Sequence, residues 1–263
     1  MKIALCLHGL VGSTNSLSYL RNEGDDDGKR LCAELSFNDW KRCVIDPNDV
    51  DVFFHTWDEE LEEYLVESYK PKKYQIEKQI IFNVEHKDDT PRNQACYSRW
   101  YGGKRVIEMK SEYEKENNFI YDCVIDARFD LAWNKPYDFS KLDMDYFYVP
   151  IVEKDGVAYG WPHTGQQEVM DWVFFSNSKN MNDFSPLLYD NLGEYNRTIH
   201  QWKGMSPHFQ SFAHLVNLNL LPDKCKVGIN LATPNRNVNE AKMTDNDHCQ
   251  LIRRQYFGET LRG

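Results

Sequence analysis

The sequence predicts an α/β fold in which a mostly parallel central sheet is flanked by helices on both faces. Apolar runs alternate with amphipathic segments through the first half of the chain, and the run at 2–8 is continuously apolar. Such alternation is typical of strand–helix–strand units that build a parallel sheet. The 263 residues are 41% hydrophobic and 14% aromatic, so the chain can form a substantial core. We expect a single domain over 1–263.

Apolar runs bounded by turn residues mark the strands. They predict strands at 2–8, 50–55, 121–127, 146–151 and 171–176. Residues 74–83 suit either a short strand or a helical turn, and 226–232 are strand-like.

Helices are predicted where apolar residues recur on one side of a segment. These segments are 29–43, 58–69, 96–118, 178–192 and 207–219. Asp58 is a natural N-cap for the second helix because its side chain can accept a backbone hydrogen bond. Lys70-Pro71 closes that helix.

The charge and hydropathy of the chain exclude two classes of partner. Its 31 basic and 41 acidic residues give a net charge of −10, which disfavours general nucleic-acid binding. The mean hydropathy is −0.68, and no apolar run approaches the ~20 residues of a membrane span. The first apolar run ends in His8-Gly9, which favours a strand over a secretory signal.

The cysteines do not indicate a metal site or a disulfide framework. There are seven, an odd number, and no two are spaced as CxxC. Free thiols are typical of a reducing compartment, so a cytoplasmic location is expected.

Chemically informative residues follow directly after the predicted strands. They are His8-Gly9, Thr56-Trp57-Asp58 and Arg128-Phe129-Asp130, with Asp171 at the start of a later strand. In open α/β sheets, ligands bind beyond the carboxyl ends of the strands. We therefore expect these residues to line one site.

The segment after the first strand, 8–13, resembles the oxyanion loop of α/β-hydrolases. That family also needs a GxSxG nucleophile elbow, which the chain lacks, and a GxxxxGK[ST] phosphate loop is absent as well. What remains is a glycine-bearing turn at which backbone can approach a ligand.

Asp126, Arg128 and Asp130 lie on one face of extended backbone. They suit either a structural ion-pair cluster or a site for a divalent metal and a diphosphate, because Mg²⁺ and Mn²⁺ prefer carboxylate oxygens and Arg suits phosphate. The run Asp25-Asp26-Asp27 is interpreted as a solvated loop.

Three further features leave two interpretations open. Trp57 and Asp58 contact a nucleotide base and ribose, or else pack in the core and cap a helix. The aromatic and glycine-rich segment 159–166, which contains His163, is either a sugar-binding loop or an ordinary surface loop. His208 begins a predicted helix and is either a helix residue or a phosphate or metal contact.

The ordered series KIALCLHG, DVFFHTWD, YKPK, YDCVIDARFDLAW and DWVFFSN resembles nucleotide-sugar glycosyltransferases of the GT-A type. The nearest likeness is to surface-polysaccharide transferases of bacteria, phages and large algal viruses, and it covers about residues 1–180. The resemblance implies a GT-A-like, Rossmann-like sheet. It also implies a nucleotide-binding half at about 1–130 and an acceptor half at about 131–263.

The same resemblance implies a reaction. A hexosyl or pentosyl group would pass from a nucleotide-diphosphate sugar to a hydroxyl of a glycan or glycoprotein acceptor, as in polysaccharide biosynthesis, assisted by Mn²⁺ or Mg²⁺. A non-catalytic nucleotide- or carbohydrate-binding protein on the same fold is the alternative.

The resemblance assigns roles to individual residues. His8 and Gly9 would border the nucleotide, Trp57 and Asp58 the base or ribose, and Arg128 the phosphates or the donor sugar; Asp130 would bind the metal. Apart from the resemblance, His163 in its aromatic loop is predicted as a further binding residue. The chain departs from a plain DxD motif, since Arg128 stands at its first position. Either Asp126 supplies the second carboxylate or metal dependence is weak.

Asp171 would bind the donor sugar or act as the catalytic base, with Glu168 in reserve.

Overall fold

The computed structural model describes residues 1–11, 26–83, 90–154, 157–162, 167–196, 206–232 and 248–251. Within these ranges, ten strands form one sheet in the order β3-β2-β1-β4-β8-β6-β9-β10-β5, and β7 pairs with β6. The strands are β1 (Lys2–Gly9), β2 (Asp49–Thr56), β3 (Lys73–Ile76), β4 (Cys123–Arg128), β5 (Leu131–Trp133), β6 (Phe147–Lys154), β7 (Val157–Tyr159), β8 (Val173–Ser176), β9 (Cys225–Ala232) and β10 (Cys249–Leu251).

All five predicted helices are present. They are α1 (Asp26–Trp40), α2 (Glu62–Tyr69), α3 (Thr90–Asn117), α4 (Ser178–Asp190) and α5 (Pro207–Asn217). Each helix starts or stops a few residues from its predicted bounds, because helix ends fray and have a weak sequence pattern. Helix α2 ends at Lys70, as predicted, in a left-handed conformation.

The prediction of a mostly parallel sheet is confirmed, with five of nine described pairings parallel. Strands β3, β2, β1 and β4 run parallel and form one half of the sheet. Strand β8 then runs antiparallel to both β4 and β6. Because β8 is reversed, its first residues lie beside the last residues of β4.

Helices cover both faces of the sheet, and β1 shows this directly. Ile3, Leu5 and Leu7 belong to the core on one face, which also contains residues of α1 and α2. Ala4 and Cys6 belong to the core on the other face, with residues of α3, α4 and α5. A strand with alternate residues buried on opposite faces reads as a continuous apolar run, as 2–8 does.

The short strands at the far side of the sheet were not predicted. Strands β5, β7 and β10 have three residues each, too few to show a periodic pattern. Of the ambiguous segment 74–83, only the part up to Ile76 belongs to a strand.

The seven cysteines are all free, as predicted, and all of them are buried. No helix in the described part of the chain has both the length and the apolar character needed to cross a membrane.

Candidate functional site

Four of the predicted site segments meet at the carboxyl-terminal edge of the parallel strands. His8 lies beside His55 of β2 on one side and beside Arg128 of β4 on the other. The Arg128 backbone N–H donates to the carbonyl of Trp172 at 3.1 Å, so Asp171 reaches the same edge. The sequence prediction that these residues share one edge therefore agrees with the strand register.

Asp126 is fully buried and held by three side chains. One carboxylate oxygen lies 2.7 Å from Nε2 of His8 and 3.2 Å from Nη2 of Arg99. The other oxygen accepts a hydrogen bond from the hydroxyl of Ser185 on α4. Arg99 comes from α3, so the helices of one face complete the site that the strands begin.

Asp130 forms a two-point ion pair with Arg128. Nε of the guanidinium donates to one carboxylate oxygen at 2.7 Å, and Nη2 donates to the other at 2.6 Å. Paired geometry of this kind fixes the direction of the guanidinium as well as its charge. The Asp130 side chain therefore acts as a support for Arg128.

Asp171 joins the site to α5 and to α3. One of its carboxylate oxygens lies 3.0 Å from Nε2 of His208, and the other lies 3.6 Å from Nε of Arg99. Arg99 Nε also donates to the backbone carbonyl of Asp171 at 3.0 Å. Arg99 thus bridges Asp126, which lies in β4, and Asp171, which lies just before β8.

We call this group the edge cluster, and its members are His8, Arg99, Asp126, Arg128, Asp130, Asp171, Ser185 and His208.

The electrostatics of the edge cluster keep Asp126 and Asp171 ionised. Burial raises the pKa of Asp126, but Arg99, His8 and Ser185 together outweigh burial and leave that pKa well below the usual range. Burial also raises the pKa of Asp171, and His208 together with Arg99 lowers it further than burial raises it. In His208, burial lowers the pKa, while Asp171 raises it to a net value above 6.5. Burial and Arg99 lower the pKa of His8 to about 4, so His8 is neutral.

Two of the three cations of the edge cluster are more exposed than its carboxylates, whereas Arg99 is buried. The side chains of Arg128 and His208 are 27% and 31% exposed, whereas those of Asp130 and Asp171 are 3% and 7% exposed. The carboxylates of Asp130 and Asp171 therefore lie below the protein surface, and the cationic side chains of Arg128 and His208 reach solvent. Such an arrangement presents positive charge to an incoming ligand and suits an anion.

Two adjacent glycines let α3 approach the edge cluster. A Cβ on Gly103 would lie 3.2 Å from Nη1 of Arg99 and 3.2 Å from an oxygen of Asp126. A Cβ on Gly102 would lie 3.3 Å from the ring of His55 and 3.3 Å from Cβ of His8. Glycine is unfavourable inside a helix, so this pair reflects the close packing against the strand ends.

The predicted nucleotide contacts at the end of β2 are buried. Trp57 is 2% exposed, and its ring stacks on Tyr101 at 5.5 Å. Asp58 does not cap the following helix through its side chain. It accepts a hydrogen bond from the backbone N–H of Val11 at 2.7 Å and so fixes the chain that leaves β1. In this conformation, the core interpretation of Trp57 fits better than base stacking.

The two residues predicted to border the nucleotide at β1 differ. His8 is 1% exposed, and its ring contacts the buried Asp126 rather than solvent. Gly9 has φ of +93°, a conformation that favours glycine, and no described residue other than its chain neighbours has an atom within 4 Å of where its Cβ would be. Gly9 therefore remains the predicted ligand border on this strand.

The predicted metal ligands do not fit a divalent cation. Both oxygens of Asp130 accept from Arg128, and both oxygens of Asp126 are bonded to His8, Arg99 or Ser185. Mg²⁺ and Mn²⁺ need carboxylate oxygens directed at the ion. Among the residues that the structure describes, no three His, Cys, Asp or Glu side chains converge as a metal site would require.

Two predicted features lie outside the described residues. They are His163 in its loop and Asp25 of the acidic run, whose Asp26 and Asp27 begin α1 instead of the predicted loop. Glu168, the reserve base, is described and half-buried, and its charge acts on His208.

Sequence reasoning missed Arg99 and Ser185. Both lie on helices, distant in sequence from any strand end, and nothing in their immediate neighbours marks them. The one available signal was Gly102-Gly103 inside a long helical pattern. A glycine pair there indicates close approach to another part of the chain.

Comparisons with known proteins give only distant likenesses. No protein-family model matches, and no curated protein matches. Among solved structures, a protein of Desulfovibrio desulfuricans G20 described as a nucleotide-diphospho-sugar transferase aligns over 88% of this chain and 81% of its own, with 11% identity and a TM-score of 0.46. A glycosyltransferase involved in glycosylation of the major capsid of PBCV-1 aligns over 87% and 81%, with 10% identity and a TM-score of 0.40. Both scores lie below 0.5, so neither likeness bears on substrate or mechanism.

Proposed function

We propose that this protein is a glycosyltransferase that uses a nucleotide-diphosphate sugar as donor. The observation that carries the proposal is the outward-facing cation pair of Arg128 and His208, supported from behind by buried carboxylates. This pair lies at the carboxyl-terminal edge of parallel strands, where α/β sheets bind their ligands. The motif resemblance of residues 1–180 supports the same reading.

The chemistry of transfer needs positive charge at the leaving group. The bond between the sugar C1 and the phosphate oxygen breaks, and its electron pair stays on the nucleoside diphosphate. The acceptor hydroxyl oxygen bonds to C1 and loses its proton to a base. Arg128 and His208 would hydrogen-bond the phosphate oxygens as this charge develops.

Asp171 is better suited to positioning than to proton transfer. Its pKa is held well below the usual range by His208 and Arg99, and a carboxylate so stabilised is a weak base. We therefore assign Asp171 the role of orienting His208 and keeping it charged. Glu168, half-buried and electrostatically coupled to His208, is the remaining candidate for the acceptor proton.

The acceptor in this proposal is a glycan or glycoprotein hydroxyl, and the transferred group is a hexose or pentose. Both follow from the motif resemblance alone.

The test measures release of nucleoside diphosphate from a panel of UDP- and GDP-sugars, with and without simple glycan acceptors. We expect at least one donor to turn over and Arg128→Gln to reduce its kcat/KM by about ten- to hundredfold, the effect of losing a charged hydrogen bond. Lys179→Gln is the matched control, because Lys179 is 83% exposed and follows the end of β8 at the opposite edge.

A double variant separates function from folding. Arg128→Gln leaves the buried Asp130 carboxylate without its partner, so it can also destabilise the fold. Arg128→Gln with Asp130→Asn removes both charges and should recover stability while turnover stays low. Recovery of turnover in the double variant, or no turnover of any donor by the wild-type chain, would overturn the proposal.

A further inference from the structure

The six carboxylate oxygens of the edge cluster are already committed to protein partners. Both oxygens of Asp130 accept from Arg128, and those of Asp126 are bonded on both sides. Those of Asp171 face His208 at 3.0 Å and Arg99 at 3.6 Å. A divalent cation could gain a carboxylate ligand from the edge cluster only by displacing one of these cationic partners, or by sharing an oxygen with it and so placing two cations against one carboxylate.

A displaced arginine would lose the carboxylate that balances its charge. Arg99 is 7% exposed, so its guanidinium cannot turn to water when it loses Asp126. Breaking a buried ion pair by removing one partner costs about 3–5 kcal/mol, which works against metal entry. Arg128 is less buried, but a metal on Asp130 would place two like charges side by side.

The exposed part of the edge cluster supplies positive charge from side chains instead of from a metal ion. A guanidinium carries one positive charge and a protonated imidazole carries another, which together equal the charge of one divalent cation. His208 is positioned for this by Asp171, which accepts from its Nε2. Arg128 is positioned by the two-point pair with Asp130.

We propose that this site binds its nucleotide-diphosphate donor without a divalent cation, with the side chains of Arg128 and His208 neutralising the diphosphate. The inference rests on the proposed function, since it concerns the donor of that same reaction. It departs from the metal expected on the sequence resemblance. It concerns binding of the donor and its free product, so it is testable without turnover.

The experiment is calorimetric titration of UDP and GDP into the full chain, first in EDTA and then with millimolar Mn²⁺ or Mg²⁺. We expect one nucleotide to bind with the same Kd in EDTA and in metal. In EDTA, His208→Gln should weaken binding about ten- to hundredfold. Glutamine keeps a donor for Asp171 but has no charge. Lys179→Gln should bind as the wild type does.

The outcomes separate the two proposals. Binding only in the presence of metal overturns this inference and leaves the glycosyltransferase proposal standing. No binding of either nucleotide in either buffer overturns both. Equal binding by His208→Gln and wild type in EDTA, with both folded by near-ultraviolet circular dichroism, also overturns the inference. Added Mn²⁺ that restores binding to His208→Gln would contradict it as well, because the inference gives the metal no ligands.

Discussion

Helix α3 carries two buried cations with different surroundings. Arg99 contacts the edge cluster, and Lys110 lies eleven positions further on, about 16 Å along the helix axis. The Lys110 side chain is 0% exposed, and its ammonium group donates to Glu114 at 2.9 Å, Ser178 at 2.6 Å and Asn182 at 2.7 Å. Its three N–H donors match three acceptors, so this cluster is closed.

The edge cluster differs because two of its charged side chains reach solvent. Its interior is as tightly paired as the surroundings of Lys110, yet it continues outward to the partly exposed Arg128 and His208. Buried ion pairs alone are weak evidence for function, since they also occur as structural clusters. The comparison shows that the outward cations, rather than the buried pairs, carry the functional argument.

Arg99→Ala should have the largest effect, because it removes the shared partner of two buried carboxylates. We expect the free energy of unfolding to fall by about 5 kcal/mol, the upper end for breaking buried pairs. Urea denaturation measures this loss. Nucleotide binding should be lost too, since Asp171 would no longer be fixed.

Arg99→Lys is the matched control, as it keeps the charge without the planar fork. It should recover part of the stability and less of the binding. Wild-type nucleotide affinity in a folded Arg99→Ala protein would show that the interior of the edge cluster does not position the outward cations.

Lys110→Ala should affect stability alone. It leaves Glu114, whose side chain is 7% exposed, without its countercharge, so the free energy of unfolding should fall by about 3 kcal/mol. Adding Glu114→Gln should recover part of this, since the glutamine oxygen can still accept from the Tyr121 backbone N–H while its NH2 group can donate to the Ser178 hydroxyl oxygen. The folded fraction should bind nucleotide with wild-type Kd in calorimetry. Weaker binding would mean that the two clusters are coupled through α3.

The sequence was sufficient for the elements with a long pattern. The run at 2–8 and the helix around Trp100 bury many side chains, so their periodicity is visible. Strands such as β10, at Cys249–Leu251, are defined by pairing with β9 and β5, which are distant in sequence. Local residues cannot reveal such pairings.

The site was predictable where chemistry follows a strand end. Arg128 and Asp130 could be found because two opposite charges directly after a buried strand are costly to bury unless they are paired or bind a ligand. Their mutual pairing depends on side-chain direction, and the resemblance to a DxD motif favoured a metal instead. The role of Arg99 depends on how α3 crosses the strand ends, a property of packing between distant segments.

The most direct test of the account compares His208 with His214 on the same helix, α5. In His208, burial lowers the pKa, but Asp171 and Glu168 raise it above 6.5 against the opposing charge of Arg128. In His214, burial lowers the pKa to about 4, and Nδ1 lies 2.7 Å from the Tyr195 hydroxyl. A raised folded-state pKa stabilises the protein at low pH, and this stabilisation is lost as pH rises through that pKa.

The measurement is an NMR pH titration of both imidazoles, with and without UDP or GDP. The account predicts that one nucleotide raises the pKa of His208 further, because its phosphates favour the charged ring, and that His214 does not change. Nucleotide affinity should accordingly weaken as pH rises through the His208 pKa. A His208 pKa that neither nucleotide alters, in a folded protein at millimolar ligand, would contradict the central claim that this edge binds a diphosphate.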